Sequence, residues 1–408
     1  MLTEDMRLLL TIILIAVISL IGSRVTFWNR QLPIGFKNIL LTGTEYILIG
    51  IVLGGMGLGI FDKDTLDKTE PFLLFGLCWI GFLFGLQFEV RFLQKLPSHY
   101  FVMTSILAGV TFLIIFFPLY FLFYYFVFFE GGVSFIAAAT LGSAGSCTAQ
   151  SALAIVNRNY RIPNKRLLEL MRYITSVDGL FGLVFFTLAL CILPEGKMVF
   201  NILKSVQWLF ISMGIGIIPA VVLITLSKAK FTQQEYTLFL ISTIMFCGGL
   251  AHIFNHSPLV AGLIAGIIVA NFCPYRLQAL QSVLSAEKTI YITLLLLVGA
   301  SWQFQFDWSL LIAGVYFLLR VSGKVFGIMV ATKIFQPNYE VPKSLGLGLI
   351  SEGGLAIAII VTSKLLHPAT INSLITVIIL SIFVNEIIAP KLILIQFKNV
   401  KKNLYLNQ

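Results

Sequence analysis

Four ionisable side chains stand in stretches where only hydrocarbon-facing residues would be expected. Residues 172–188 read RYITSVDGLFGLVFFTL, an apolar run of helical length with one carboxylate, Asp178, in its first half. The run 316–333, YFLLRVSGKVFGIMVATK, carries Arg320 and Lys324, four residues apart and therefore on one helical face. The run 343–366, KSLGLGLISEGGLAIAIIVTSKLL, carries Glu352. A charge at the centre of a bilayer costs at least ~2.5 kcal/mol, and such residues usually mark ion or proton paths. A carboxylate suits the exchange of a cation for a proton, because it binds one or the other and never both. Desolvation favours its protonated form, and a neighbouring base favours its ionised form. Empty and ionised, Asp178 is costly to carry through an apolar gate; neutralised by H+, or by Na+ or K+, it can pass, and that difference couples the two fluxes.

Hard cations prefer oxygen ligands. The hydroxyls of Ser146, Thr148, Thr175 and Ser176 lie near Asp178 in the expected arrangement, with Asp178 and Thr148 as the leading monovalent-cation ligands. Each hydroxyl could instead bond to the carbonyl one turn back, as Ser and Thr commonly do in membrane helices. Arg320 and Lys324 are equal candidates for the base that pairs with Asp178 or Glu352, although Lys324 could also snorkel to the inner surface. Glu352 fits a plug for helix dipoles better than a direct cation ligand. Glu386, beside Asn385 in VNEIIAP, is a second-tier candidate. Glu89 and Arg91 read as an interfacial ion pair rather than a filter. His252 and His256 flank a short outer loop, where histidines are either passive or, with a pKa near ~6.5, sensitive to pH.

The elements that must position these groups are membrane helices. Of 408 residues, 58% are hydrophobic and 11% charged, against about 25% charged in soluble domains. Apolar runs of about 20 residues recur from end to end, and no long polar stretch separates them. The expected fold is a single all-α polytopic membrane domain, 1–408. Thirteen spans are expected, at roughly 7–25, 40–60, 71–88, 100–128, 132–156, 167–193, 205–227, 236–254, 257–272, 286–304, 308–332, 343–365 and 370–396. The start, MLTEDMRLLL, lacks the basic opening and cleavage site of a signal peptide, so the first span is expected to be retained. The net charge of +10 concentrates in alternate loops and the C-terminal tail, including Arg158, Arg161, Lys165, Arg166 and Arg172 in one loop. That asymmetry puts the N-terminus outside and the C-terminus in the cytoplasm, and it excludes a nucleic-acid patch as the meaning of the charge. Cys78, Cys147, Cys191, Cys247 and Cys273 lie scattered without metal spacing and read as free, buried thiols.

The fifth span, GVSFIAAATLGSAGSCTAQSALAIV, holds Gly142, Ser143, Gly145 and Ser146 at its centre; the twelfth holds Gly346, Gly348, Gly353 and Gly354 around Glu352. Paired interruptions in corresponding positions point to an inverted-repeat transporter with its site at the bilayer midplane. Taken singly, such segments are also what close helix packing uses.

These stretches resemble the monovalent cation–proton antiporter superfamily, in the branch of bacterial sodium–proton antiporters and potassium efflux systems. GSAGSCTAQSALAIV resembles its small-residue–Ser–Thr–Ala helix, LFGLQFEVRFLQKL its Gly-Leu-acid–Arg segment, and SPLVAGLIAGIIVAN its Ser-Pro–Ala–Gly helix. LLLLVGASWQFQFDW and GLGLISEGGLAIAIIV match two further helices more loosely, so the likeness runs in register over about 36–396. The resemblance implies thirteen helices with two discontinuous helices crossing beside a carboxylate, here Asp178. It implies scaffold or dimerisation helices at about 7–88 and 236–304, a linker helix at 205–227, and core transport helices at 100–193 and 308–396. It further implies a homodimer in the inner membrane, an elevator-like mechanism, and no cofactor beyond the transported Na+ or K+ and H+. Relatives carry Asp, Asn or Gln before the aspartate, whereas Val177 stands here; a single carboxylate leans toward electroneutral, one-for-one exchange. The large nucleotide-binding tail of the potassium efflux branch is not expected here, as the sequence runs only about a dozen residues past the last span.

The leading expectation is therefore a secondary antiporter, with a K+-selective version gated by a separate cytosolic subunit close behind. The alternative from another class is a transport-inactive membrane sensor that has kept the fold, as Val177 and the SEGG at 351–354 would allow. No repeated filter sequence argues for a channel, and no nucleophile–base or metal constellation argues for an enzyme.

Overall fold

The computed structural model describes residues 4–24, 34–94, 98–127, 130–160, 162, 164–193, 202–228, 232–303, 308–335, 341–367 and 372–406. Among them the chain is helical, and the one strand-like feature is an isolated bridge between Gly54 and Phe61. Nine of these helices are long and apolar enough to cross a membrane, and ten if the bent pair Lys343–Leu349 and Gly354–Leu366 counts as one span. Glu70–Leu86 and Pro258–Phe272 are shorter apolar helices. With every backbone polar group in hydrocarbon needing an internal partner, this is the fold of a multi-pass helical membrane protein. The chain divides into two compact units.

The first unit comprises 1–26, 43–95 and 201–303. At its centre the Glu70–Leu86 and Pro258–Phe272 helices pack with their backbones nearly touching. A Cβ on Gly81 would meet the Leu259 carbonyl at 2.0 Å, and one on Gly262 would meet the Cys78 carbonyl at 2.1 Å. Small residues let membrane helices approach in this way, where lipid offers no hydrophobic drive to do so. Trp79, Phe82, Leu240, Ile244 and Val269 fill the surrounding core. Phe210, Ile218, Leu238 and Met245 are exposed, as side chains against lipid would be. Ser257 caps the Pro258–Phe272 helix through the Val260 N–H, and Thr232 and Glu235 form a capping box on the Gln233–Ile253 helix.

The second unit comprises 27–42, 96–200 and 304–408. Its helices are Ile34–Thr42, Ser98–Phe126, Gly131–Ser146, Ser151–Asn159, Lys165–Ile192, Ser309–Phe335, Gly354–Leu366 and Asn372–Leu406, with a 3-10 turn over Lys343–Leu349. Met103, Leu107, Leu153, Leu170, Met171, Ile174, Ile328, Leu345, Leu349 and Ile393 form its core. Asn164 starts the Lys165–Ile192 helix by accepting the Leu167 N–H at 3.1 Å.

The continuous second span expected at 40–60 is not formed. Ile34–Thr42 ends at Gly43, whose φ of +78° is left-handed, and a new helix runs over Glu45–Leu53. Glycines 54, 55, 57 and 59 follow, and the helix does not extend through them. The other interruptions fall in the fifth and twelfth spans. The first breaks over 147–150, and the second runs from the 3-10 turn through 350–353 into a helix bent by 65° from it.

Candidate functional site

Both breaks are non-helical peptide inside the second unit, with Cys147 and Gly353 extended, and they are joined to each other: the Ala149 N–H donates to the Ser351 carbonyl at 3.0 Å. The half-helix Gly131–Ser146 ends with carbonyls that have no partner along the chain and carry the negative end of its dipole. Arg320 and Lys324, one turn apart on the Ser309–Phe335 helix, meet them. Arg320 Nε donates to the Gly145 carbonyl at 3.1 Å, and one terminal nitrogen donates to Cys147 at 2.9 Å and to Ser351 at 3.1 Å. Its other terminal nitrogen donates to the Ile350 carbonyl. One guanidinium thus ties carbonyls of both breaks together. Gly346 lets the 3-10 turn come this close, since a Cβ there would lie 2.3 Å from the Lys324 carbonyl oxygen.

Lys324 uses all three of its N–H donors. They reach the Ser146 carbonyl at 2.6 Å, Thr148 Oγ1 at 2.8 Å and Asp178 Oδ2 at 3.0 Å. Asp178 also accepts the Thr148 N–H at 3.1 Å on Oδ1 and the Thr148 hydroxyl on Oδ2. The Thr148 hydroxyl stands 3.2 Å from the Leu349 carbonyl of the second break. Asp178, Arg320, Lys324, Glu352 and Glu386 are all fully buried. Gly182, one turn beyond Asp178, presses the Lys165–Ile192 helix against the first break: a Cβ there would meet the Ser143 carbonyl at 2.8 Å.

The even choice between the two bases resolves into two pairs, Lys324 with Asp178 at 3.0 Å and Arg320 beside Glu352 at 3.8 Å. Glu352 receives the Tyr316 hydroxyl at 2.6 Å, the Ser381 hydroxyl at 2.7 Å and the Asn385 amide at 3.0 Å. Glu386 lies beside it, accepting from the Ser351 hydroxyl at 2.9 Å and from Asn38.

Not every hydroxyl singled out by sequence converges on Asp178. Thr175 and Ser176 donate to the Arg172 carbonyl at 3.1 and 2.7 Å, and the Ser146 hydroxyl donates to Ser143 at 2.8 Å; Ser146 reaches Lys324 through its carbonyl instead. Ser176 is also touched by the Gln150 amide at 3.1 Å. Away from the breaks, Glu89 pairs with Arg276 at 2.9 Å rather than with Arg91. His252 lies 3.8 Å from Glu70, and His256 stacks on Trp208 at 5.0 Å. All five cysteines are free and buried.

Tyr316, Ser381, Asn38 and the carbonyls of Leu349 and Ile350 were not legible as part of the cluster. Tyr316 had a signal, because 316, 320 and 324 lie at four-residue steps on one face. Backbone carbonyls give none.

The profile of the family described as "Sodium/hydrogen exchanger, transmembrane" matches residues 40–393. The chain belongs to the sodium/hydrogen exchanger family. Its members are transporters, not enzymes, and the multi-pass helical architecture agrees with that membership. Among solved structures, the fold is similar to that of the sodium proton antiporter MjNhaP1 from Methanocaldococcus jannaschii at pH 8, with TM-score 0.67 and 17% identity over 96% of this chain and 100% of that one. A structure of the same antiporter from an electron-microscopy map matches with TM-score 0.56 and 17% identity, over 94% of this chain and 93% of that one. No curated protein matches the sequence at a significant level. The all-helical antiporter fold expected from the five resembling segments is therefore the fold found, although the described residues do not establish the count of thirteen spans, and family membership supports cation–proton antiport as the activity.

Proposed function

We propose that this exchanger swaps one monovalent cation, Na+ or K+, for one proton, with Asp178 as the carboxylate that holds the cation in one state and protonated Lys324 in the other. The observation that carries the reading is the set of oxygens around the Lys324 ammonium. The Ser146 carbonyl, Thr148 Oγ1 and Asp178 Oδ2 hold a compact positive charge at 2.6–3.0 Å. These are the hard oxygen donors a bare alkali cation needs, and the ammonium stands in its place. A cation entering the set displaces Lys324 from the carboxylate. An ammonium stripped of its partner in a dry interior costs several kcal/mol, so the arriving cation is balanced by a departing proton. The proton-loaded site (Asp178 carboxylate with Lys324 ammonium) and the cation-loaded site then carry the same net charge, and the exchange is electroneutral without a second carboxylate at position 177.

The site's residues all come from the second unit, which supports an elevator-like motion of that unit as the core, with the first unit as scaffold and dimerisation surface. The dense basic segment at 158–172 supports an inner-membrane orientation with the N-terminus outside and the C-terminus in the cytoplasm.

The Asp178–Lys324 pair is also what a locked core would show, and this favours one second reading: a sensor that has kept the fold and lost transport. Liposomes loaded with a pH dye separate the two. Wild-type protein should collapse an imposed ΔpH on addition of Na+ or K+ at a rate insensitive to membrane potential, and Asp178→Asn should abolish the response while remaining folded. Folded wild-type protein with no exchange of any alkali cation would establish the sensor reading instead.

A further inference from the structure

Five fully buried carboxyl and basic side chains sit in the second unit around the breaks, and their charges do not balance. Asp178 has Lys324 and Glu352 has Arg320, which leaves Glu386. Among the described residues no base lies within ion-pair distance of it. Its three hydrogen-bond donors are neutral: the Ser351 hydroxyl at 2.9 Å on Oε1, the Asn38 amide on Oε2, and the Glu352 backbone N–H. Charged groups reach it only through space, Arg320 from the Ser309–Phe335 helix and Glu352 from the second break. With Glu386 ionised, this dry cluster carries one uncompensated negative charge; with Glu386 protonated, it carries none. A buried charge without a partner is the costly case.

We infer that Glu386 is a second site of proton binding and release, separate from the Asp178–Lys324 pair. The inference deepens the exchange proposed above. Both protonation states can be accommodated locally. Ionised, the carboxylate accepts the Ser351 hydroxyl proton; protonated, Oε1–H donates to Ser351 Oγ, and that hydroxyl turns around. Asn38 serves Oε2 in either state. The change is felt at the crossing, because the carbonyl of Ser351 holds the Ala149 N–H of the other break and one Arg320 nitrogen. An extra negative charge there attracts the Lys324 ammonium and an arriving cation alike, so ionisation of Glu386 tightens the hold on whichever ion occupies the crossing. Both ions should then leave more slowly, and exchange should fall at alkaline pH as Glu386 loses its proton.

Infrared spectroscopy of the purified full-length protein tests this without transport. Protonated carboxylic acids give a C=O stretching band distinct from that of carboxylates. The expected result is a band that disappears as pH is raised, persists in Asp178→Asn, and is missing from Glu386→Gln. A Glu386-dependent band that never titrates, or no such band at any working pH, would overturn the inference. In liposomes Glu386→Gln, which mimics the neutral acid, should retain exchange and lose the alkaline fall in rate; an unchanged pH profile would also overturn it. If Glu386→Gln does not fold, the wild-type and Asp178→Asn spectra decide the matter: one fewer titrating carboxyl than this account requires sinks it. A titrating Glu386 in a protein that exchanges nothing would instead remove the antiport reading and leave the proton site standing.

Discussion

Removing the Lys324 ammonium while keeping the Asp178 carboxylate leaves an acid in a dry interior with only Thr148 to hold it. Taking away one partner of a buried pair costs about 3–5 kcal/mol, whereas replacing both by neutral groups is often nearly free. Lys324→Met should therefore be destabilised, Asp178→Asn should be destabilised by the stranded ammonium, and the double variant should recover most of the loss. At about 2.1 cal/mol/K of unfolding entropy per residue, a chain of 408 residues loses roughly 4–6 °C of Tm for that penalty. Intrinsic fluorescence during thermal unfolding in detergent, at one pH and with choline as the only bulk cation, reads the three variants against wild type. Lys324→Met has a second signature. The oxygens that held the ammonium are open to a cation, so added Na+ or K+ should raise its Tm, by the equivalent of about 2.7 kcal/mol at a hundredfold excess over Kd. A double variant whose loss equals the sum of the single losses would show that the two charges are not coupled and would refute the reasoning about the pair.

Thr148→Val removes the hydroxyl that bridges Asp178 and Lys324; at about 1–3 kcal/mol for such a bond, the KM for the cation should rise on the order of tenfold or more, and Thr148→Ser should restore it in the liposome assay. Gly346→Ala forces a Cβ against the Lys324 carbonyl at 2.3 Å and should cost about 1–3 kcal/mol by overpacking, seen as a lower Tm together with slower exchange. Glu89→Gln breaks only the partly exposed pair with Arg276; at about 0–1 kcal/mol it should leave both Tm and cation selectivity unchanged, and an altered Na+/K+ ratio would mean that Glu89 filters ions after all.

Helix type and approximate span positions could be read from the sequence because long apolar runs leave the backbone few alternatives. Where reading failed, the cause was local. The second span looks continuous by hydrophobicity alone, and what stops it is one left-handed Gly43, followed by glycines through which no helix continues. Asp178, Arg320, Lys324 and Glu352 stood out because a charge in an apolar run is costly and demands a partner or a function. Their pairing was not legible, since Arg320 and Lys324 share one face and only the depth of each break decides which carboxylate each meets. The hydroxyls were least readable: Ser146, Thr175 and Ser176 satisfy themselves on carbonyls a turn away, while Thr148 follows Cys147, where the chain leaves the helix as extended backbone, and its hydroxyl reaches Asp178 instead. Asn38 lies hundreds of residues from Glu386, and no local pattern announces their contact.

The most direct test counts protons when cations bind. In weakly buffered detergent solution, titrating the purified protein with Na+ or K+ should release one proton per cation bound, and Asp178→Asn should release none. Cation binding without proton release, or release undiminished by Asp178→Asn, would contradict a single site for which the two ions compete.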